Sequence, residues 1–96
     1  VRPVLDLDRI SRIREKVSVP LVMHGGSGLS REEFQTAIRN GIRKINYYSY
    51  MSKAGTTAAR NYLNENDVTF YHDIALAAKN AMAEDVEKAM HIFYNI

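Results

Sequence analysis

Apolar side chains recur along this chain in two alternating rhythms. Over residues 5 to 17, Leu7, Ile10, Ile13 and Val17 stand three or four positions apart, the spacing of one helix face. Asp6 and Asp8 fall at the start of that stretch, where a carboxylate favours the helix dipole. Pro20 closes it, and Val19 to Met23 form a short apolar run ended by His24 and two glycines. Such a run predicts a strand buried on both faces. The helical rhythm returns after Ser30. Ser30 and Glu33 have the spacing of a capping box, Leu29 and Phe34 that of a hydrophobic staple, and Phe34, Ala37 and Ile38 share one face. Gly41 supplies a left-handed stop. A helix is expected over 31–40.

From Ile42 to Tyr48 the period falls to two. Ile45 and Tyr47 lie on one side, with Lys44, Asn46 and Tyr48 on the other, which predicts a strand with one polar face. Met51, Ala54, Ala58 and Leu63 mark a further helix, although Gly55 inside it costs about 1 kcal/mol relative to alanine. The polar run from Asn64 to Asp67 breaks that helix. A stripe of Ile74, Ala78, Met82, Val86, Met90 and Phe93 sets a last helix over 73–94. The order helix, strand, helix, strand, helix, helix predicts an α/β fold with parallel strands and a right-handed crossover. Two parallel strands are too few to bury both faces of a sheet. Residues 1–96 therefore read as a single segment of something larger. A closed (β/α)₈ barrel needs about 250 residues, and two βα units plus a terminal helix make roughly a quarter of it. Val1-Arg2-Pro3-Val4 is neither a methionine start nor a helix cap, and reads as a chain entered partway through a domain.

Composition narrows the function classes. The chain has 96 residues, 46% of them hydrophobic, with 25% charged and a net charge of only +2. No run of Lys and Arg interleaves with aromatics to track a phosphate backbone, so nucleic acid is not an expected partner. With no cysteine, disulfides and thiolate metal sites are excluded, which is compatible with a cytoplasmic origin. No apolar run approaches the roughly 20 residues that span a bilayer, so no membrane role is expected.

The chemistry concentrates at Val19-Pro20-Leu21-Val22-Met23-His24-Gly25-Gly26-Ser27-Gly28-Leu29-Ser30. A histidine stands where the apolar strand ends, and a glycine-rich loop carries the chain from it to a helix N-terminus. Glycines let backbone N–H groups turn toward an anion, Ser27 adds a hydroxyl donor, and the helix dipole favours negative charge. Carboxyl ends of parallel strands are where α/β folds bind ligands. The loop lacks the Lys-Ser/Thr pair of a P-loop, and Arg31 stands where a dinucleotide fingerprint needs its third glycine. These residues alone leave two readings open. The loop is either a flexible turn or an anion site, and His24 is either a packed or surface residue or a metal ligand.

The segment His24-Gly25-Gly26-Ser27-Gly28, then a capping box, then Gly41-Ile42-Arg43-Lys44-Ile45-Asn46 with Ser49 three residues on, resembles the C-terminal signature of class II fructose- or tagatose-bisphosphate aldolases. The similarity covers essentially the whole chain, since that family also ends on a long amphipathic helix. The resemblance implies a (β/α)₈ barrel in which His24 is one of three histidines on a catalytic zinc. It implies that Gly25, Gly26 and Ser27 bind the phosphate of dihydroxyacetone phosphate and, through backbone carbonyls, a monovalent cation such as sodium or potassium. Asn46, Tyr47, Tyr48 and Ser49 would form the second substrate-binding stretch. Zinc would polarise the ketone as a Lewis acid and stabilise an enediolate. The pattern departs from the family at Tyr47 and Tyr48, where small or acidic residues are common. The family's catalytic aspartate and two further zinc histidines have no counterpart in this chain, so it carries no catalytic residue of its own and is expected to be inactive alone.

The remaining groups read as structural. His72 opens the last helix and His91 lies on it, both in solvated or partly packed roles. Glu84, Asp85, Glu87 and Lys88 form that helix's wet side, and Tyr62, Phe70, Tyr71, Phe93 and Tyr94 are expected to pack between helices. Two other functional readings stand beside the aldolase. One is a metal-free phosphate-binding barrel; the other is an oligomerisation module built on residues 73 to 94. Open strand edges and apolar faces in so short a chain predict a homo-oligomer.

Overall fold

The computed structural model describes residues 4–94; the opening Val1-Arg2-Pro3 lies outside the described residues. The chain is α/β. Its elements are α1 (Leu7–Lys16), β1 (Leu21–Met23), α2 (Arg31–Asn40), β2 (Ile42–Ile45), α3 (Ser49–Glu65) and α4 (Tyr71–Tyr94). They fall into two compact units, one comprising the chain through Tyr47 together with the stretch from His91, the other Tyr48–Met90.

The first unit is organised around one small apolar cluster. Ile10 of α1, Met23 of β1, Phe34 and Ala37 of α2 and Ile42 of β2 are buried together, with Leu21, Leu29, Ile45 and Phe93 packed against them. Local chemistry places these side chains. Asp6 caps α1, its carboxylate accepting from the Arg9 amide at 3.1 Å. The Ser30 hydroxyl accepts from the Glu33 amide at 3.1 Å, and the Glu33 carboxylate accepts from the Ser30 amide at 2.7 Å. The expected capping box is therefore complete, and α2 covers 31–40 as its caps require. Gly41 ends it at φ 133°, its N–H shared between the Ala37 and Ile38 carbonyls. Arg14 lies where a Cβ at Gly41 would be, so only glycine fits that turn.

β1 and β2 pair in parallel, with Leu21 opposite Ile42 but Val22 opposite Lys44 and Met23 opposite Ile45. The ladder admits one extra residue on β2, Arg43, a bulge of a kind rare in parallel pairs. Both strands are shorter than the sequence pattern predicted over 19–23 and 42–48. The double burial expected of the first strand is also corrected: Met23 is buried, but Val22 is 45% exposed. With two strands among the described residues, only the face carrying the cluster has cover. Ile13 of α1 and Val17 just after it remain exposed, and Ile10 is the buried residue of α1.

The second unit contains α3 and most of α4. Gly55 is buried in the middle of α3, and a Cβ there would stand 2.8 Å from Met82 Sδ of α4. The helix-weakening glycine is thus explained by close approach of the two helices. Leu63 and Met90 of the expected apolar stripes are exposed, as are Phe70 and Tyr71, which the sequence placed between helices. Tyr94, in the first unit, is exposed as well. No helix among the described residues is long and apolar enough to cross a membrane.

Candidate functional site

The parallel register carries the chemistry of the first unit to one end of the strands. The ladder continues one step past β2, where the Asn46 amide donates to the Met23 carbonyl at 3.1 Å. Because Met23 faces Ile45, the next residues on the two strands are His24 and Asn46. Their side chains meet: Asn46 Nδ2 lies 2.9 Å from His24 Nδ1. On the same polar side of β2, Lys44 Nζ donates to Asn46 Oδ1 at 2.6 Å. All three side chains are solvent-exposed, so these contacts are ordered by geometry and not by burial.

The glycine loop leaves directly from His24. Gly25 and Gly28 have φ of 65° and 91°, which orients the backbone as only glycine does readily. The Leu29 amide closes the turn on the Gly26 carbonyl at 3.2 Å. Gly26 is buried against the Phe34 ring, and a Cβ there would sit 2.9 Å from Phe34 Cε1. The loop is therefore a turn seated on the core through Gly26. The N-terminus of α2 is less open to an anion than its position suggests. Its capping box uses the amides of Ser30 and Glu33, and Glu32 and Glu33 place negative charge in the first turn. Anion-binding capacity at this end rests on the loop amides and on the exposed Ser27 hydroxyl.

The other predicted site residues fall as follows. Tyr47 is half-buried and set edge-on to Phe93, with centroids 6.0 Å apart and planes at 80°. Phe93 in turn packs against the apolar cluster of the first unit. Tyr48 and Ser49 belong to the second unit. Tyr48 is the exposed residue before α3, with no side-chain cap bond, and Ser49 is the helix's first residue. Lys44 carries no site role in the sequence pattern. The period-two pattern had placed it on Asn46's face, but its contact with the amide is visible only once the side chains are placed.

Among the described residues no three His, Cys, Asp or Glu side chains gather to hold a metal ion. His24 fits as one imidazole donor. A catalytic zinc takes three protein ligands, so two would have to come from outside these residues. His72 stacks on Phe70 and pairs with Asp73 at 3.2 Å, with its side chain 77% exposed; that is the solvated role expected of it. Clefts among the described residues lie elsewhere. One of about 530 Å³ is lined by Ile38, Ile42 and Phe93 in the first unit, and one of about 470 Å³ by Lys53, Thr57 and Glu84 in the second. Neither includes His24 or Asn46.

Known proteins share both the sequence pattern and the shape. The sequence model of fructose-bisphosphate aldolase class-II matches residues 1–96. Among solved structures, the YdjI aldolase from Escherichia coli K12 is similar with a TM-score of 0.85 and 31% sequence identity. That match covers 95% of this chain and 34% of the aldolase, so the chain spans about a third of that protein's length.

Proposed function

Because the chain belongs to the class II fructose-bisphosphate aldolase family, we propose that it supplies one zinc ligand and the phosphate loop of a complete (β/α)₈ aldolase barrel. The reaction is reversible cleavage of fructose- or tagatose-1,6-bisphosphate to dihydroxyacetone phosphate and glyceraldehyde 3-phosphate. The observation that supports this most directly is the juxtaposition of His24 and Asn46, 2.9 Å apart at the carboxyl end of a parallel strand pair. The glycine turn that starts at the next residue adds the donors an anion needs.

In this reading the His24 imidazole is one of three ligands. When bound, the zinc supplies Lewis acidity that draws electron density from the substrate ketone. The amides of Gly25 and Gly26 and the Ser27 hydroxyl hold the phosphate, and loop carbonyls can take a monovalent cation. The Asn46 carboxamide stands beside the histidine to orient a substrate oxygen, and Tyr48 and Ser49 belong to the same substrate-binding stretch. Tyr47 belongs to that stretch as well, with its ring set edge-on to Phe93 at the strand end. The base that moves the substrate proton, and the other two histidines, come from the rest of the barrel. The chain alone is inactive, its partner is a phosphorylated sugar in the cytoplasm, and the folded assembly is a homo-oligomer.

The test is a His24→Ala substitution in the full-length polypeptide, assayed for cleavage of both bisphosphates with circular dichroism as the folding control. The expected result is loss of nearly all cleavage in a folded protein, since the group removed stabilises charge in the transition state. Retention of most turnover would take His24 out of the mechanism and favour a metal-free phosphate-binding barrel.

A further inference from the structure

A hydrogen-bond chain on the polar side of β2 has a direction, and one residue sets it. Lys44 Nζ lies 2.6 Å from Asn46 Oδ1. An ammonium only donates, so the amide must present its oxygen there and its NH₂ to the other neighbour. That neighbour is His24 Nδ1, 2.9 Å from Asn46 Nδ2. An amide NH₂ only donates, so Nδ1 must accept, and in the neutral ring the proton then sits on Nε2. Without the ammonium the carboxamide has no such preference. Turned over, it offers Oδ1 to the ring, and the imidazole can match it by carrying its proton on Nδ1. An oxygen facing Nδ1 and an NH₂ facing Lys44 would set donor against donor at the lysine end, which Lys44 forbids.

We propose that Lys44 is a positioning residue that sets the tautomer of His24 through the Asn46 carboxamide, keeping Nδ1 unprotonated. The placement follows from the fold. Lys44 and Asn46 are two residues apart on one strand and so share a face, and the bulge at Arg43 brings that face opposite His24. The proposal deepens the aldolase reading, on which it rests for one consequence: a metal taking His24 at Nδ1 would displace only the Asn46 hydrogen bond and no proton. The tautomer itself is read without metal or substrate, so its failure and that of the aldolase reading are distinguishable.

The experiment is a two-bond ¹H–¹⁵N correlation spectrum of the ¹⁵N-labelled chain at a pH where the imidazole is neutral. The His24 signals are assigned by their loss in His24→Gln. The wild type should show the Nε2–H form. Lys44→Met should lower the ratio of Nε2–H to Nδ1–H about fivefold, the effect of one ordinary hydrogen bond, and Lys44→Arg should restore it. Asn46→Asp, whose carboxylate can only accept, should move the proton to Nδ1. Lys44 and Asn46 are exposed, so neither change removes a core contact, and circular dichroism verifies the fold. A Nδ1–H ring in the wild type, an unchanged ratio in Lys44→Met, or a proton still on Nε2 in Asn46→Asp would each overturn the proposal.

Discussion

Adding a methyl group at Gly26 should weaken the first unit through the core beneath the loop. An ideal Cβ at that position stands 2.9 Å from Phe34 Cε1, 3.1 Å from Cζ and 3.5 Å from Met23 Cε. Carbon atoms pack best at about 3.5–4.0 Å, so the ring would have to retreat. It has little room. Phe34 is 7% exposed, and its ring tilts onto Phe93 with centroids 5.1 Å apart. Overpacking of this kind costs about 1–3 kcal/mol, a large share of the stability of a small domain. At Gly25 the same methyl group meets nothing within 4 Å, but φ is +65°. The cost there is backbone strain of about 1–2 kcal/mol. Two adjacent glycines are thus needed for different reasons, and second substitutions separate them. Asparagine tolerates the left-handed region, so Gly25→Asn should recover most of what Gly25→Ala loses. Phe34→Leu should relieve Gly26→Ala, giving a coupling energy above about 0.5 kcal/mol in the double-mutant cycle. Urea denaturation followed by far-UV circular dichroism measures each term. A neutral Gly26→Ala, or strict additivity with Phe34→Leu, would refute the packing argument.

Three further outcomes are expected. Gly55→Ala gains about 1 kcal/mol of helix propensity, yet its methyl group would stand 2.8 Å from Met82 Sδ and 2.9 Å from Cγ. With overpacking at about 1–3 kcal/mol, the variant should be no more stable than wild type, and Met82→Ala should convert the change into a gain; stabilisation by Gly55→Ala alone would mean the helices pack less closely. Zinc titrated calorimetrically into the chain should bind weakly, since His24 offers one of the three ligands required; tight one-to-one binding that vanishes in His24→Ala would contradict this. Sedimentation equilibrium at micromolar concentration should show association, because the exposed Val22 and the unpaired strand edges need cover; a monomer with cooperative unfolding independent of concentration excludes it.

Local signals were the ones legible in the sequence. The helix over Arg31–Asn40 is set by Ser30, Glu33, Leu29 and Gly41, all within a turn of its ends, so its boundaries could be read to the residue. The position of His24 at a strand end, followed by glycines, was equally readable because it is a matter of order along the chain. Strand lengths were not, since a strand extends only as far as its partner does, and 42–48 shortened to Ile42–Ile45. Nor was the role of Gly55, which depends on Met82 of another helix. The tertiary structure alone decided what His24 would meet. A regular parallel ladder starting from Leu21 opposite Ile42 would have put His24 opposite Ile45, an apolar side chain. The extra residue at Arg43 shifts the pairing by one, and because successive side chains on a strand point to opposite faces, that shift places Asn46, with Lys44 behind it, against the imidazole.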